Sequence, residues 1–575
     1  MVTVMDTVMA ASRFTVSCRM NLLRPYALRK CARLAFERVG QQFGARACPA
    51  INYLAGRLKL AGALLTTLAA TPLSAQNVSP AIPPVTSDVQ SAVPATTPSF
   101  RVFPVVELGE RYTDNATLAT SAAQSDWVTD AAAGLGVEYR AARANALLDY
   151  RVNRLIYRQQ SNLNSTQHLL SSRASLEAVE KWLFLDASAS ITQQNRSAFG
   201  IAGITDFTNT RANRVETTTY QLSPYVLGNF MDVTTYLLRV NGAETRAGES
   251  AFPDSRTYEW TGFVKNAPAA RRLGWSVDGN SLSVRNSTVG RRQDSRLRAS
   301  LLFEIDVQLR MSLGGGKESS DLDGRDRRAT STYGLGFEWT PSQRTQMAAI
   351  TQRRFFGNDH LVAIAHRTAR TAWRFSSARE IAVSTNELAA SNPASANSVL
   401  LDLPSTVPDP NARLDVAAPT LGQTGMTAPS GIQGGFFTVR PFLSRRQEAS
   451  MVMQGSRNTI TIAVGRREQR AVDGSSVTPG SSARIEEFRQ YGANAAWAYR
   501  LSPVSTLTTV VSRFRTEGLF SENLTTTQRL QSLFFVTRLG PRTSVSLGVR
   551  RVLFDSTVLN SNRENTFVST LSVRF

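Results

Sequence analysis

The chain has 575 residues, with 65 Lys/Arg against 44 Asp/Glu and a formal net charge of +21. Its three cysteines, Cys18, Cys31 and Cys48, all lie near the start, which excludes a disulfide framework or a thiolate metal site from the rest of the chain. The basic residues are spread along the chain and not gathered on one arm, which argues against nucleic acid as a partner.

Residues 1–56 form a basic N-terminal extension. An open reading frame started too far upstream explains it more simply than a long cytoplasmic lead, and it is set aside from fold reasoning. Arg57 and Lys59 then precede an apolar stretch from Leu60 to Ala70, followed by Pro72, Leu73, Ser74, Ala75 and Gln76. A basic start, an apolar core and a small-x-small site predict a secretory signal peptide over 57–75, cleaved after Ala75. The apolar core is shorter than the roughly 20 residues a membrane helix needs. Gln76 stands where a lipoprotein signal has cysteine. The leader holds ten Lys/Arg and two Asp/Glu, which leaves a net charge near +13 on residues 76–575. Almost all of that charge is arginine, since only Lys181, Lys265 and Lys317 remain as lysines. Residues 76–99, rich in Pro, Ser, Thr and Ala, read as a disordered periplasmic linker.

From Phe100 onward the pattern predicts strands. The first eight are expected at 100–111, 127–140, 146–158, 168–180, 182–194, 217–230, 232–245 and 256–266. The next seven are expected at 273–286, 294–306, 307–316, 330–340, 344–356, 360–375 and 380–388. The last seven are expected at 442–453, 457–470, 487–500, 504–516, 525–539, 542–554 and 565–575. Connections after even strands are tiny, such as Lys181 and Met231. Those after odd strands are mostly long, such as 112–126, 195–216 and 389–441. The short 357–359 connection breaks the rule, and a miscount is expected among strands 13 to 16.

Within strands the period is two. Leu183, Leu185, Ala187, Ala189 and Ile191 alternate with Asp186, Ser188, Ser190 and Thr192. Tyr236, Leu238 and Val240, then Ile460, Ile462 and Val464, then Val545, Leu547 and Val549 repeat the pattern. The last strand alternates Phe567, Leu571, Val573 and Phe575 with polar partners. A final strand ending on an aromatic residue resembles the sorting signal of bacterial outer-membrane β-barrels. Trp127, Trp182, Trp339, Trp373 and Trp497 fall near predicted strand ends, as an aromatic girdle requires. Trp260 and Trp275 fall further inside. The expected fold is all-β: a transmembrane, antiparallel, up-and-down barrel of about 18–22 strands over 100–575. It is expected in the outer membrane of a Gram-negative bacterium, with lipid and the barrel-assembly machinery as partners.

Arg151, Arg239, Arg298, Arg310, Arg353, Arg466, Arg550 and Arg574 are expected to line the lumen. A wall of one charge sign would concentrate anions such as an acidic polysaccharide. Equally, Asp149, Asp186, Glu304 and Glu448 are available to pair with the arginines and stiffen the wall. No cofactor, metal site or catalytic residue is expected. In the calcium-like run Asp321–Asp326, Arg325 occupies a position that should supply oxygen, and Thr332 replaces the bidentate glutamate. Gly314–Lys317 lacks the first glycine of a phosphate loop, and there is no Gly-x-Ser-x-Gly. Of the three histidines, His360 follows Asp359, but neighbours on a strand point to opposite faces.

Three stretches carry a resemblance. They are Val106–Asn115 (VELGERYTDN), Phe442–Arg446 with Gly455–Thr459, and Arg563–Asn565. They resemble the outer-membrane β-barrels associated with the PEP-CTERM/exosortase system, which are encoded among exopolysaccharide genes. The resemblance implies a channel or accessory in exopolysaccharide export, with periplasmic export proteins as partners. It implies no catalytic residues. A general diffusion porin and a structural or adhesive barrel are the alternatives. A plugged transporter is disfavoured because only about 25 residues separate Ala75 from the first strand. Tyr112–Asn115 reads as the turn that ends strand one, since Asp and Asn accept local backbone bonds. The 389–441 loop leaves open whether the pore is capped.

Overall fold

A computed structural model describes residues 99–201, 213–231, 233–248, 254–266, 272–286, 290–382, 441–472, 487–519, 524–557 and 561–575. The expected leader, nearly all of the expected linker and nearly all of the 389–441 loop lie outside the described residues.

Twenty-two strands follow in chain order. They begin with β1 (Ser99–Thr113), β2 (Asp126–Arg140), β3 (Ala144–Tyr157), β4 (Ser165–Val179), β5 (Leu183–Asn195), β6 (Arg214–Phe230), β7 (Thr234–Ala247) and β8 (Ser255–Asn266). Then come β9 (Leu273–Asn286), β10 (Gly290–Asp306), β11 (Leu309–Ser320), β12 (Arg328–Ser342), β13 (Thr345–Arg354), β14 (Gly357–Arg367) and β15 (Thr371–Ala382). The series ends with β16 (Phe442–Gln454), β17 (Asn458–Ala471), β18 (Phe488–Arg500), β19 (Ser505–Gly518), β20 (Thr525–Arg538), β21 (Thr543–Ser556) and β22 (Asn562–Arg574).

Each strand pairs antiparallel with its chain neighbours, and β1 also pairs with β22 from Val105↔Arg574 to Thr113↔Thr566. The sheet is therefore a closed 22-stranded barrel with no free edge. Closure is what lets strands cross lipid, because every backbone N–H and C=O in the wall finds a partner there. Connections after even strands have two to six residues and mark the periplasmic end. Those after odd strands range from two residues between β13 and β14 to 59 between β15 and β16. Lys181 (φ 56°) and Met231 (φ 51°) occupy left-handed positions in two of the short turns.

The strand expected at 360–375 is corrected. It spans β14, a turn at 368–370, and the first part of β15. That turn has no Gly, Pro, Asn or Asp to announce it. Thr368 makes it instead: its hydroxyl accepts the N–H of Arg370 at 3.3 Å and of Thr371 at 3.0 Å. The strand expected at 380–388 is thus Thr371–Ala382, and the outer hairpin between β13 and β14 turns on Phe355 and Phe356. Gly357, at φ 102°, opens β14 in a conformation that L side chains rarely adopt.

Cross-strand partners share a face, so the register assigns every side chain to the inside or the outside. Outside, Met453, Ile460 and Trp497 form one lateral row, and Met451, Ile462 and Ala495 the next. All seven tryptophans are exposed, from 39% at Trp339 to 53% at Trp260. Trp182, Trp275, Trp339, Trp373 and Trp497 ring the periplasmic end, whereas Trp127 sits at the outer end against Tyr112, with ring centroids 5.3 Å apart. Indoles prefer the headgroup level. An apolar wall bounded by such rings needs hydrocarbon around it, since water would leave this large aromatic surface unburied.

Candidate functional site

The lumen wall and its outer mouth are the places where this barrel can meet a solute. On the inward face, Arg151 pairs with Asp149 at 3.1 Å and Glu107 at 3.6 Å. Arg239 pairs with Asp186 at 3.4 Å and lies over the Tyr225 ring at 4.2 Å. Arg298 pairs with Asp278 at 3.0 Å, and Arg310 with Glu304 at 3.4 Å. Nearer the outer rim, Arg550 and Glu564 pair at 3.7 Å with both side chains 3% exposed. Arg574 faces inward over the Phe103 ring at 4.1 Å. These arginines arrive on one face because each occupies the polar phase of its own dyad.

Arg353 and Arg466 are corrections, since both stand on the outward face. Arg353 pairs laterally with the exposed Tyr333 and donates to its hydroxyl at 3.2 Å. Arg466 shares the parity of Ile460, Ile462 and Val464, and lies over the Tyr491 ring at 5.6 Å. Parity within β17 already demands this. In β13 the parity is blurred, because Ala348 and Ile350 are apolar yet face inward. The inward residues are the next ones along, Arg354 and Arg467. Arg354 is held by Glu318, by Asp294 at 3.1 Å and by Asp359 at 3.4 Å. Its guanidinium is one-tenth exposed, so three carboxylates surround a nearly buried cation. Sequence reasoning missed this cluster because β10, β11, β13 and β14 contribute one residue each.

The expected carboxylate partners fall into place. Asp149, Asp186 and Glu304 hold the arginines just named, and Glu448 holds Arg446 at 2.7 Å. The wall between is amide and hydroxyl, as in Asn494 donating to Ser512 at 2.9 Å and Gln490 to Thr516 at 3.2 Å. At these positions the lumen charge is balanced locally. Outside, arginines oppose each other directly, as in Arg379↔Arg445 and Arg513↔Arg529. Outward arginines are also ion-paired, Arg246 and Arg256 with Glu244, Arg470 and Arg489 with Glu468, and Arg529 with Asp555 at 4.0 Å.

The mouth is crossed by chain. Residues after β5 carry Phe199, 2% exposed, onto Phe488 at the outer end of β18, with ring centroids 6.4 Å apart in an edge-to-face arrangement. Phe488 belongs to a wall nine strand-steps away through the β1–β22 seam. Asn213 fixes the crossing segment, accepting the Ser197 N–H at 2.9 Å and donating to the Ser197 and Ile201 carbonyls at 3.1 and 3.2 Å.

The histidines are outward and locally bonded. His168 meets the Tyr150 hydroxyl at 2.9 Å, His360 meets Ser377 at 3.0 Å, and His366 meets Thr345 at 2.9 Å. Asp359 points to the opposite face from His360. Among the described residues no cluster could hold a metal. Asp321 caps a turn, its carboxylate accepting the Gln293 N–H and its carbonyl the Gly324 N–H.

The motif residues meet at the seam. Asp114 accepts two bonds from Asn565, Thr113 donates to Glu564 at 2.8 Å, and Asn115 donates to the Arg563 carbonyl at 3.0 Å. Tyr112–Asn115 and Arg563–Asn565 thus form one structural clasp.

A closed antiparallel wall, apolar outside, ringed by tryptophan and polar within, is the architecture of an outer-membrane β-barrel. No family model matches the chain, and no curated protein matches it. Among solved structures it is similar to the siderophore receptor PirA from Pseudomonas aeruginosa, with 10% identity, 83% of this chain and 81% of that chain covered, and a TM-score of 0.42. It is similar to the FrpB iron transporter from Neisseria meningitidis (F5-1 variant), with 9% identity, 82% of each chain covered, and a TM-score of 0.46. It is also similar to OccK8 (OprE) from Pseudomonas aeruginosa, with 9% identity, 83% of this chain and 98% of that chain covered, and a TM-score of 0.31.

Proposed function

We propose that this barrel passes a hydrophilic solute across the outer membrane, and that the solute is an extracellular polysaccharide. The second part follows the resemblance of the seam and β16–β17 motifs to exopolysaccharide-linked barrels. One observation supports the reading most: the inward wall interleaves guanidinium–carboxylate pairs with amides and hydroxyls. Such a wall offers a polyhydroxylated chain donors and acceptors at each level. It lacks the one-signed field that would concentrate simple anions. The substrate is therefore a weakly charged glycan and not a strongly acidic one, with the Arg239–Tyr225 stack as a flat face for a sugar ring. Periplasmic export proteins are the proposed partners, the barrel-assembly machinery inserts the strand that ends at Phe575, and no catalytic role is proposed.

The crossing segment at Phe199 favours a second reading, a general diffusion channel for small solutes. Planar-bilayer recording with the purified barrel separates them. Near-equal potassium and chloride permeability with reversible block by neutral oligosaccharides is the result expected for a glycan conduit. Conductance that no oligosaccharide blocks selects the diffusion channel. A silent bilayer leaves the structural or adhesive role, and unchanged surface polysaccharide after gene deletion removes the export role.

A further inference from the structure

An oblique trough interrupts the lipid-facing wall between β7 and β11. Its floor is a row of direct lateral partners, Leu238, Gly262, Gly279, Leu297 and Lys317, running from β7 to β11. The adjacent row is Trp260, Ser281, Ser295, Ser319 and Ala329. Two glycines side by side and small serines leave a furrow of about 480 Å³ between the larger side chains. Gly279 could carry a side chain here, since an added Cβ would meet Leu297 Cδ1 at 3.6 Å and the Arg296 carbonyl at 3.7 Å. The furrow therefore does not exist for want of space in the wall.

The two ends of the trough differ in chemistry and in depth. Leu238, the fifth of the 14 residues of β7 counted from the periplasmic side, and Trp260, in the middle of β8, make one end apolar. Lys317, three residues from the outer end of β11, makes the other end cationic. Arg327 folds over that same end, donating to Ser319 at 2.8 Å, Ser295 at 3.0 Å and Gln293 at 3.2 Å. Among the described residues no carboxylate lies within ion-pair distance of Lys317 or Arg327. A lysine turned toward lipid costs least at the interface, and two neighbouring cations there attract an anion.

We propose that this trough is a seat for one phosphorylated glycolipid of the outer leaflet. An acyl chain lies over Gly262 and Gly279, and a headgroup phosphate rests on Lys317 and Arg327. The polarity carries the assignment, since the cationic end is the outer end and the apolar end lies toward the membrane interior. A lipid of the inner leaflet would present its phosphate at the wrong end.

Native mass spectrometry of the full barrel, released from detergent with added lipid, tests this. The probe is bis-phosphorylated lipid A, with phosphatidylethanolamine and dephosphorylated lipid A as comparisons. The wild-type barrel is expected to retain one equivalent of the bis-phosphorylated form and to lose both others. Lys317→Gln with Arg327→Gln should weaken retention about tenfold or more, the loss of charge-assisted hydrogen bonds. Gly279→Val should weaken it by filling the furrow while the heat-modifiable gel mobility of a folded barrel is kept. If Gly279→Val fails to fold, the exposed charge variants decide alone. Equal retention by wild type and charge variants, or equal retention of phosphatidylethanolamine by the wild type, overturns the proposal.

Discussion

Asp114 holds Asn565 from 451 residues away, its carboxylate accepting the backbone N–H at 2.7 Å and the side-chain amide at 2.6 Å. The contact sits at the outer end of the β1–β22 seam, where the last strand must find the first. Loss of the clasp through Asp114→Ala is expected to cost about 1 kcal/mol, the usual net worth of such bonds. Thermal unfolding in detergent, read by gel mobility, should show a lower midpoint, and a double-mutant cycle with Asn565→Ala should show coupling. Additive effects would mean that the clasp is not a unit.

Glu564, beside it, is a different case. Its carboxylate is buried against Arg550 and accepts from Thr113 at 2.8 Å. Glu564→Ala removes the carboxylate that faces a buried guanidinium, and breaking such a pair typically costs about 3–5 kcal/mol. This variant should be several-fold worse in assembly yield than Asp114→Ala. A smaller loss than at Asp114 would refute the ranking.

Val464 and Arg466 test the register of β17. Val464→Arg places a charge on the apolar wall at a cost of up to about 2–4 kcal/mol at the midplane. Arg466→Val should change stability little, because the arginine sits at the end of the apolar run. Urea unfolding in lipid vesicles measures both. The expected order reverses if Arg466 faces the lumen.

Phe534 and Gly548 face inward together, and a Cβ on Gly548 would overlap the Phe534 ring. Gly548→Val must push the ring off its rotamer, with overpacking worth about 1–3 kcal/mol. Gly548→Val with Phe534→Ala should recover part of the loss in folded yield. No recovery would place the cost in the strand itself.

Phe199→Ala should free the crossing segment at the mouth. Single-channel conductance is expected to rise or to fluctuate more, with the wall unchanged by circular dichroism. Identical conductance would show that the crossing segment does not limit passage.

Much of the barrel was legible beforehand. The dyad, the even strand number and the alternation of short and long connections all follow from local chemistry, because lipid on one side and polar groups on the other impose a period of two. Leu183 to Ile191 declared its faces without ambiguity. The turn at Thr368 stayed hidden because a threonine hydroxyl, and not glycine or proline, closes it. Alternation puts Arg353 on the wrong face because apolar Ala348 and Ile350 point inward, and it cannot assign a strand with two apolar faces.

Composition and periodicity alone determined that this chain is a strand-built wall with an oily side and a polar side, since both properties repeat over a few residues. They also announced that its positive charge is arginine. Only the closed sheet decided which carboxylate each arginine meets, Asp278 for Arg298 inside and Glu468 for Arg489 outside. It alone brought Asp114 to Asn565, Phe199 to Phe488, and Lys317 to the end of a glycine-floored furrow. Those contacts depend on lateral register and closure, which join residues far apart in the chain, and no local pattern encodes such distances.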